Sequence, residues 1–178
     1  RTDVYIPLQD ILKSLHRKIA EDIDSRGYDI ALIHTDYLTQ APFVLRFLNT
    51  KNVYFCLEPL KMVYEYGLRI PDNLSFQNKI YESWNRFVRK KIDRENARAS
   101  DCSTAISYFG SELMIQAFDV YPKVSYLGVN PEKFRNLNIP KKNQILFIGQ
   151  ELKLNGYEYA LNALEAIPEN TRPELKVA

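Results

Sequence analysis

The feature that most limits what this chain can fold into is its alternation of short apolar runs with stretches of helical periodicity. Tyr28-Asp-Ile-Ala-Leu-Ile-His34, Asn52-Val-Tyr-Phe-Cys-Leu57, Asp101-Cys-Ser-Thr-Ala-Ile-Ser107 and Lys123-Val-Ser-Tyr-Leu-Gly128 each have the length and residue types of a strand. Before the first, Leu8, Ile11, Leu12, Leu15, Ile19 and Ile23 mark one face of a helix from about Ile6 to Ser25, closed by Gly27. Pro42 opens a short helix through Leu48. A long helix over roughly 75–100 carries Phe76, Ile80, Trp84, Val88 and Ile92 near one stripe. A further helix runs through Phe118, with Ser111 as its expected cap. Strand, helix and strand in succession predict βαβ units, a parallel sheet and strands buried on both faces.

The stretch from Pro131 to about Asn143 is polar and contains Pro140, so it reads as a linker. Gln144-Ile-Leu-Phe-Ile-Gly149 follows as the first strand of a second unit. A helix from about Tyr157 to Ala166 comes next, and Leu175 to Ala178 starts another strand. The expected domains are therefore 1–138 and 139–178. The chain opens on Arg1-Thr-Asp-Val and stops inside a strand-like run, and both ends read as cut from a longer protein.

Composition narrows the function classes. The chain has 178 residues, 46% of them hydrophobic and 26% charged, as in an ordinary globular protein. A net charge of +2 argues for no nucleic-acid partner. Cys56 and Cys102 stand alone in apolar runs, so they read as reduced thiols in a reducing compartment, without a metal or disulfide framework. No apolar run reaches the ~20 residues that span a bilayer.

Several short motifs, in this order, carry a resemblance: the strand Tyr28 to His34; Ala99-Ser-Asp-Cys-Ser-Thr-Ala-Ile-Ser107; the turn Gly128-Val-Asn-Pro-Glu-Lys-Phe134; and Phe147-Ile-Gly149 with Gly156 and an amphipathic helix. Together they resemble the group 1 (family four) nucleotide-sugar glycosyltransferases. The resemblance implies a GT-B fold, a Rossmann-like doubly wound α/β arrangement with a second similar domain. Residues 1–138 would be the later part of the acceptor-side domain, and 139–178 the linker and the start of the donor domain. It implies a hexosyltransferase-type enzyme that moves a sugar from a nucleotide-sugar donor to an acceptor hydroxyl, with retention and without a metal or other cofactor. The acceptor would be a glycan, a lipid-linked sugar or a small molecule, and the compartment cytoplasmic, either free or membrane-associated. The 178-residue piece alone is expected to be inactive.

The same resemblance assigns the donor phosphates to Gly149, Gln150, Lys153, Asn155 and Gly156. The family usually has two cations where this chain has Gln150 and Asn155, and such cations neutralise the diphosphate as the sugar leaves. Lys153 lies between them and either reaches the site or is a solvated loop lysine. On the acceptor side, His34, Glu58 and Ser107 follow strand ends, the edge where open sheets bind ligands. Each has a structural alternative: a hydrogen-bonded core histidine, a loop carboxylate accepting backbone N–H groups, and a residue capping the helix after it. Leu57 stands where many relatives have a histidine.

Arg86, Arg89, Lys90, Lys91, Arg94 and Arg98 form a basic run over 86–98, interrupted by Asp93 and Glu95. It reads either as a peripheral membrane contact or as a solvated face. Two other accounts fit the residues. One is a transferase fold that has lost donor chemistry and serves as a binding or scaffold protein. The other is an unrelated doubly wound protein of the nucleotide-sugar epimerase kind.

Overall fold

A computed structural model describes residues 5–65, 68, 70–149 and 156–178. The chain divides into two units, Arg1–Gly128 and Val129–Ala178. The first is α/β. Its elements are α1 (Tyr5–Ser25), β1 (Ala31–His34), a 3-10 turn (Phe43–Arg46), β2 (Asn52–Cys56), α2 (Lys61–Tyr64), α3 (Phe76–Arg98), β3 (Cys102–Ala105), α4 (Tyr108–Phe118) and β4 (Lys123–Val124). The strands form one parallel sheet in the order β1-β2-β3-β4.

That order decides where the core lies. Successive right-handed crossovers in a sheet that grows in one direction place their helices on the same face. Tyr54 and Cys56 of β2 and Ala105 of β3 are buried there against Leu45 of the 3-10 turn, Ala97 of α3, and Met114, Ala117 and Phe118 of α4, with Ile33 of β1 packed alongside. Leu12 of α1 joins Phe43 and Ile92 in a second cluster on that side. Alternation turns Leu32, His34, Val53, Phe55, Cys102 and Thr104 to the other face. The expectation of strands buried on both faces is thus corrected: Leu32 is exposed, and β1 is an edge strand. Among the described residues the strand order never reverses: the sheet is parallel, four-stranded and compatible with a Rossmann-like arrangement.

Local chemistry accounts for the ends of the elements. Gly27, at φ 68, follows α1 as its sequence position suggested. The helix expected from Pro42 to Leu48 shrinks to the 3-10 turn, because the Asp24 carboxylate takes the N–H groups of Asn49 and Thr50 and draws the chain into a turn before β2. Those bonds, from Thr50 above all, hold Asp24 down to about 2. Ser75 caps α3 through the Asn78 N–H. The cap of α4 is Ser107, not Ser111: its Oγ accepts the Gly110 N–H at 3.0 Å. Ser107 is still extended, at φ −158 and ψ 165, whereas Ser111 already lies inside the helix.

The side of α3 that faces inward is a second correction. Phe76, Ile80 and Trp84 of the expected stripe are exposed, and only Ile92 is fully buried. The buried positions are instead Glu82, Asn85, Ile92, Asp93, Asn96 and Ala97. The reason is what α3 packs against. The irregular segment after β1 brings backbone groups into the interior, and buried peptides need partners. Asp93 Oδ1 accepts the Ala41 N–H at 2.9 Å, and Asn96 Nδ2 donates to the Ala41 carbonyl at 2.7 Å. Arg46 Nε donates to Asn96 Oδ1, which completes that amide.

Part of the basic run is also tied into the fold. Arg86 donates to the Met62 and Leu68 carbonyls at 2.7 and 2.6 Å and pairs with Glu82. Arg89 reaches the Leu38 carbonyl, and Arg98 bonds the Phe118 carbonyl and Asp119.

In the second unit β5 (Gln144–Phe147) pairs in parallel with β6 (Glu174–Val177), joined through α5 (Tyr157–Glu165). This two-stranded sheet is separate from the one holding β1. Phe147 packs edge-on against Tyr157 at 5.3 Å, pinning the strand to the start of the helix.

Candidate functional site

The carboxyl ends of β2 and β3 lie side by side, with Cys56 level with Ala105. Both chains leave the sheet there, and a cavity of about 250 Å³ opens between them. The segment after β2 lines it with Leu57, Glu58, Pro59, Lys61 and Tyr64. The segment after β3 lines it with Ile106, Ser107 and the start of α4, including Phe109 and Gly110.

Each polar side chain is positioned by an identifiable device. Pro59 has no N–H to extend the β2 ladder, so the chain turns at Glu58. The Glu58 carbonyl accepts Gln40 Nε2 at 2.8 Å. Gln40 ends the loop after β1, where Asp36 Oδ1 accepts the N–H groups of Leu38 and Thr39 and Asp36 bridges Gln40 through the backbone. The next residue, Ala41, is the one gripped by Asp93 and Asn96. A continuous path of hydrogen bonds therefore runs from α3 to the backbone of Glu58.

At the Glu58 side chain, Oε2 sits 2.9 Å from Lys61 Nζ, and that bond raises the ammonium above its ordinary range. Ser107 Oγ uses an acceptor site on Gly110 and keeps its O–H to donate. The N-terminal end of α4 adds the positive end of a helix dipole. Tyr64 forms part of the wall, its Oη donating to the Ala117 carbonyl at 3.3 Å and its hydroxyl pushed up to about 12 by burial. Leu57, Pro59, Ile106, Phe109 and Leu113 supply apolar surface. Glu65 also lines the cavity, so two carboxylates, one ammonium and the Ser107 hydroxyl stand against apolar walls, a set that suits a ligand with hydroxyl groups and an apolar ring face.

Of the sequence-derived acceptor-side residues, Glu58 and Ser107 are brought together here. His34 is not: it lies on the open face of the sheet, exposed, its ring 4.9 Å from that of Phe55. Alternation from Ile33, which faces the core, puts it there. Lys61, Tyr64 and Phe109 were missed by sequence reasoning; Lys61 and Phe109 follow strand ends closely, whereas Tyr64 lies further on, at the end of α2.

In the second unit Gly149 follows β5 at φ 153 and donates its N–H to the Ala178 carbonyl at 3.2 Å. Gly156 precedes α5 at φ 75. Both conformations favour glycine. Gln150, Lys153 and Asn155 lie outside the described residues. Among the described residues no group of His, Cys, Asp and Glu side chains could hold a metal ion, and no helix is long and apolar enough to cross a membrane.

The chain matches no family model, and no curated protein or solved structure is significantly similar to it.

Proposed function

We propose that the chain is the acceptor side, with the start of the donor side, of a GT-B glycosyltransferase that moves a sugar from a nucleotide-sugar donor to a hydroxyl. The observation that supports this most is the cavity at the carboxyl edge of the parallel sheet, where Glu58, Lys61 and Ser107 meet. A carboxylate accepts from sugar hydroxyls, a serine donates to them, and Phe109 and Leu57 offer apolar surface to a ring face. On the donor side, β5 with Gly149 two residues after it, and α5 beginning after Gly156, are a strand and a helix of the kind that open sheets place beside phosphates.

The resemblance adds the reaction: group transfer with retention, in which positioning and charge stabilisation do the chemistry. Gln150 and Asn155, neutral where relatives carry cations, favour a second reading, a GT-B-like protein that binds sugars without transferring them.

Calorimetric titration with a panel of hexoses, disaccharides and nucleotide sugars tests both readings. The transferase reading expects binding of a sugar and of a nucleotide sugar, with the sugar affinity lost in Glu58→Gln and Ser107→Ala. Sugar binding without any nucleotide-sugar binding favours the second reading. No binding of either class contradicts both.

A further inference from the structure

The first half of α3 presents an apolar face that nothing among the described residues covers. Phe76 is 77% exposed, Ile80 54%, Trp84 58% and Phe87 59%. Their spacing of four, four and three places them in one row along three turns. Trp84 and Phe87 pack on each other, with ring centroids 5.9 Å apart, so the second half of the row is one aromatic surface. Contiguous exposed apolar surface of this kind marks a contact site.

Charge says what the contact is with. Lys79, Lys90 and Lys91 lie on the same helix. Each acid of α3 is neutralised or withdrawn: Glu82 is buried and bonded to Arg86, Asp93 is fully buried, and Glu95 is held by Arg46 at 2.8 Å with Lys91 at 3.9 Å. Beside the row a groove of about 350 Å³ opens between α1 and α3, where Lys13, Arg46 and Lys91 outnumber Glu95. Aromatic side chains beside cations, with no free acid on the helix, match the interface of an anionic bilayer: rings at the acyl boundary, ammonium groups at the phosphates.

We infer that the exposed row Phe76-Ile80-Trp84-Phe87 is a docking surface for an anionic membrane, with α3 lying in the interfacial plane. The surface shares Lys90 and Lys91 with the basic run at 86–98 but does not use Arg86, Arg89 and Arg98, which bond carbonyls of the protein itself. It does not depend on the cavity beside Glu58.

Trp84 is the one tryptophan of the chain, so its emission reports directly on the surface. The full chain is mixed with vesicles of pure phosphatidylcholine, or of phosphatidylcholine with a third phosphatidylglycerol, some carrying brominated acyl chains. The expected result is a blue shift and bromine quenching with the anionic vesicles only, weakened by salt. In Phe76→Ser with Phe87→Ser the partition should weaken by roughly tenfold or more, since each lost apolar group reduces the buried area. Circular dichroism checks that this variant, changed only at exposed positions, keeps its fold. No shift with either vesicle overturns the inference. Equal shifts with both overturn the anionic commitment. A blue shift that grows with protein concentration in the absence of lipid overturns it in favour of a second copy of the chain.

Discussion

The carboxylate of Asp93 holds the backbone N–H of Ala41 at 2.9 Å across 52 residues of chain. One turn along α3, Asn96 takes the carbonyl of the same residue at 2.7 Å, so a single peptide segment is gripped from both sides. This grip fixes the loop after β1, and through Gln40 it steadies the backbone of Glu58. Replacing Asn96 by Ala leaves the Ala41 carbonyl and the Arg46 Nε–H without their Asn96 partner. It should cost about 2–3 kcal/mol, read from the urea midpoint. A change below ~0.5 kcal/mol would show that the grip does not hold the loop.

Asp93 also sets a pH dependence. Burial pushes its carboxyl up to about 7, against an ordinary value of 3.8. The Leu60 N–H faces it, short of hydrogen-bond geometry, and nearby Arg89 and Asp36 pull in opposite directions. A carboxyl raised in the folded state favours folding when protonated. Its contribution is complete below about pH 4 and is lost as pH rises to about 7. In that window it should lower stability by up to about 1.4 kcal/mol per pH unit. Asp24 acts with opposite sign and lower down: held at about 2, it supports the fold above about pH 4 and loses that support as pH falls to 2. Denaturant midpoints from pH 4 to 8 should decline less steeply in Asp93→Asn than in the parent. Parallel curves would contradict the assignment.

Asn85 is fully buried on α3, and neither of its side-chain amide atoms has a hydrogen-bond partner among the described residues. Desolvating an amide without repayment costs about 1–3 kcal/mol, so Asn85→Leu, of similar volume, should raise the melting temperature. A drop would mean that the amide has a partner in solution, such as a bound water.

Much of the first unit was legible because its strands are apolar runs bounded by Gly, Pro and helix caps. Gly27 and the Glu58-Pro59 stop are read from the residues themselves. The inward face of α3 was not legible. Hydropathy put Phe76, Ile80 and Trp84 inside, whereas the helix packs on a loop whose peptides call for Asp93 and Asn96. Nothing in the local sequence of α3 reveals that its neighbour is a loop 50 residues earlier. Ser107 and Ser111, one turn apart, both offered a capping side chain, and the local sequence did not choose between them. Glu58 and Ser107 could be paired from sequence because adjacent parallel strands bring their carboxyl ends together. His34 could not be separated from them, because a strand's last residue points to either face.

On the donor side, Gln150→Arg combined with Asn155→Lys should tighten binding of a nucleoside diphosphate sugar by ~1–2 kcal/mol, since charge-assisted bonds to phosphate exceed neutral ones. Calorimetry reads this directly. Unchanged affinity would mean that Lys153 already carries the charge or that the phosphates bind elsewhere.

The central claim is that the cavity at the carboxyl ends of β2 and β3 takes a sugar through Glu58 and Ser107. Amide chemical-shift mapping during titration with hexoses and disaccharides tests it most directly. The account predicts saturable shifts concentrated at Glu58, Lys61, Ser107 and Gly110, absent at His34 and abolished by Glu58→Gln with the fold intact. Saturable sugar binding whose shifts fall elsewhere, or which survives Glu58→Gln unchanged, would contradict it.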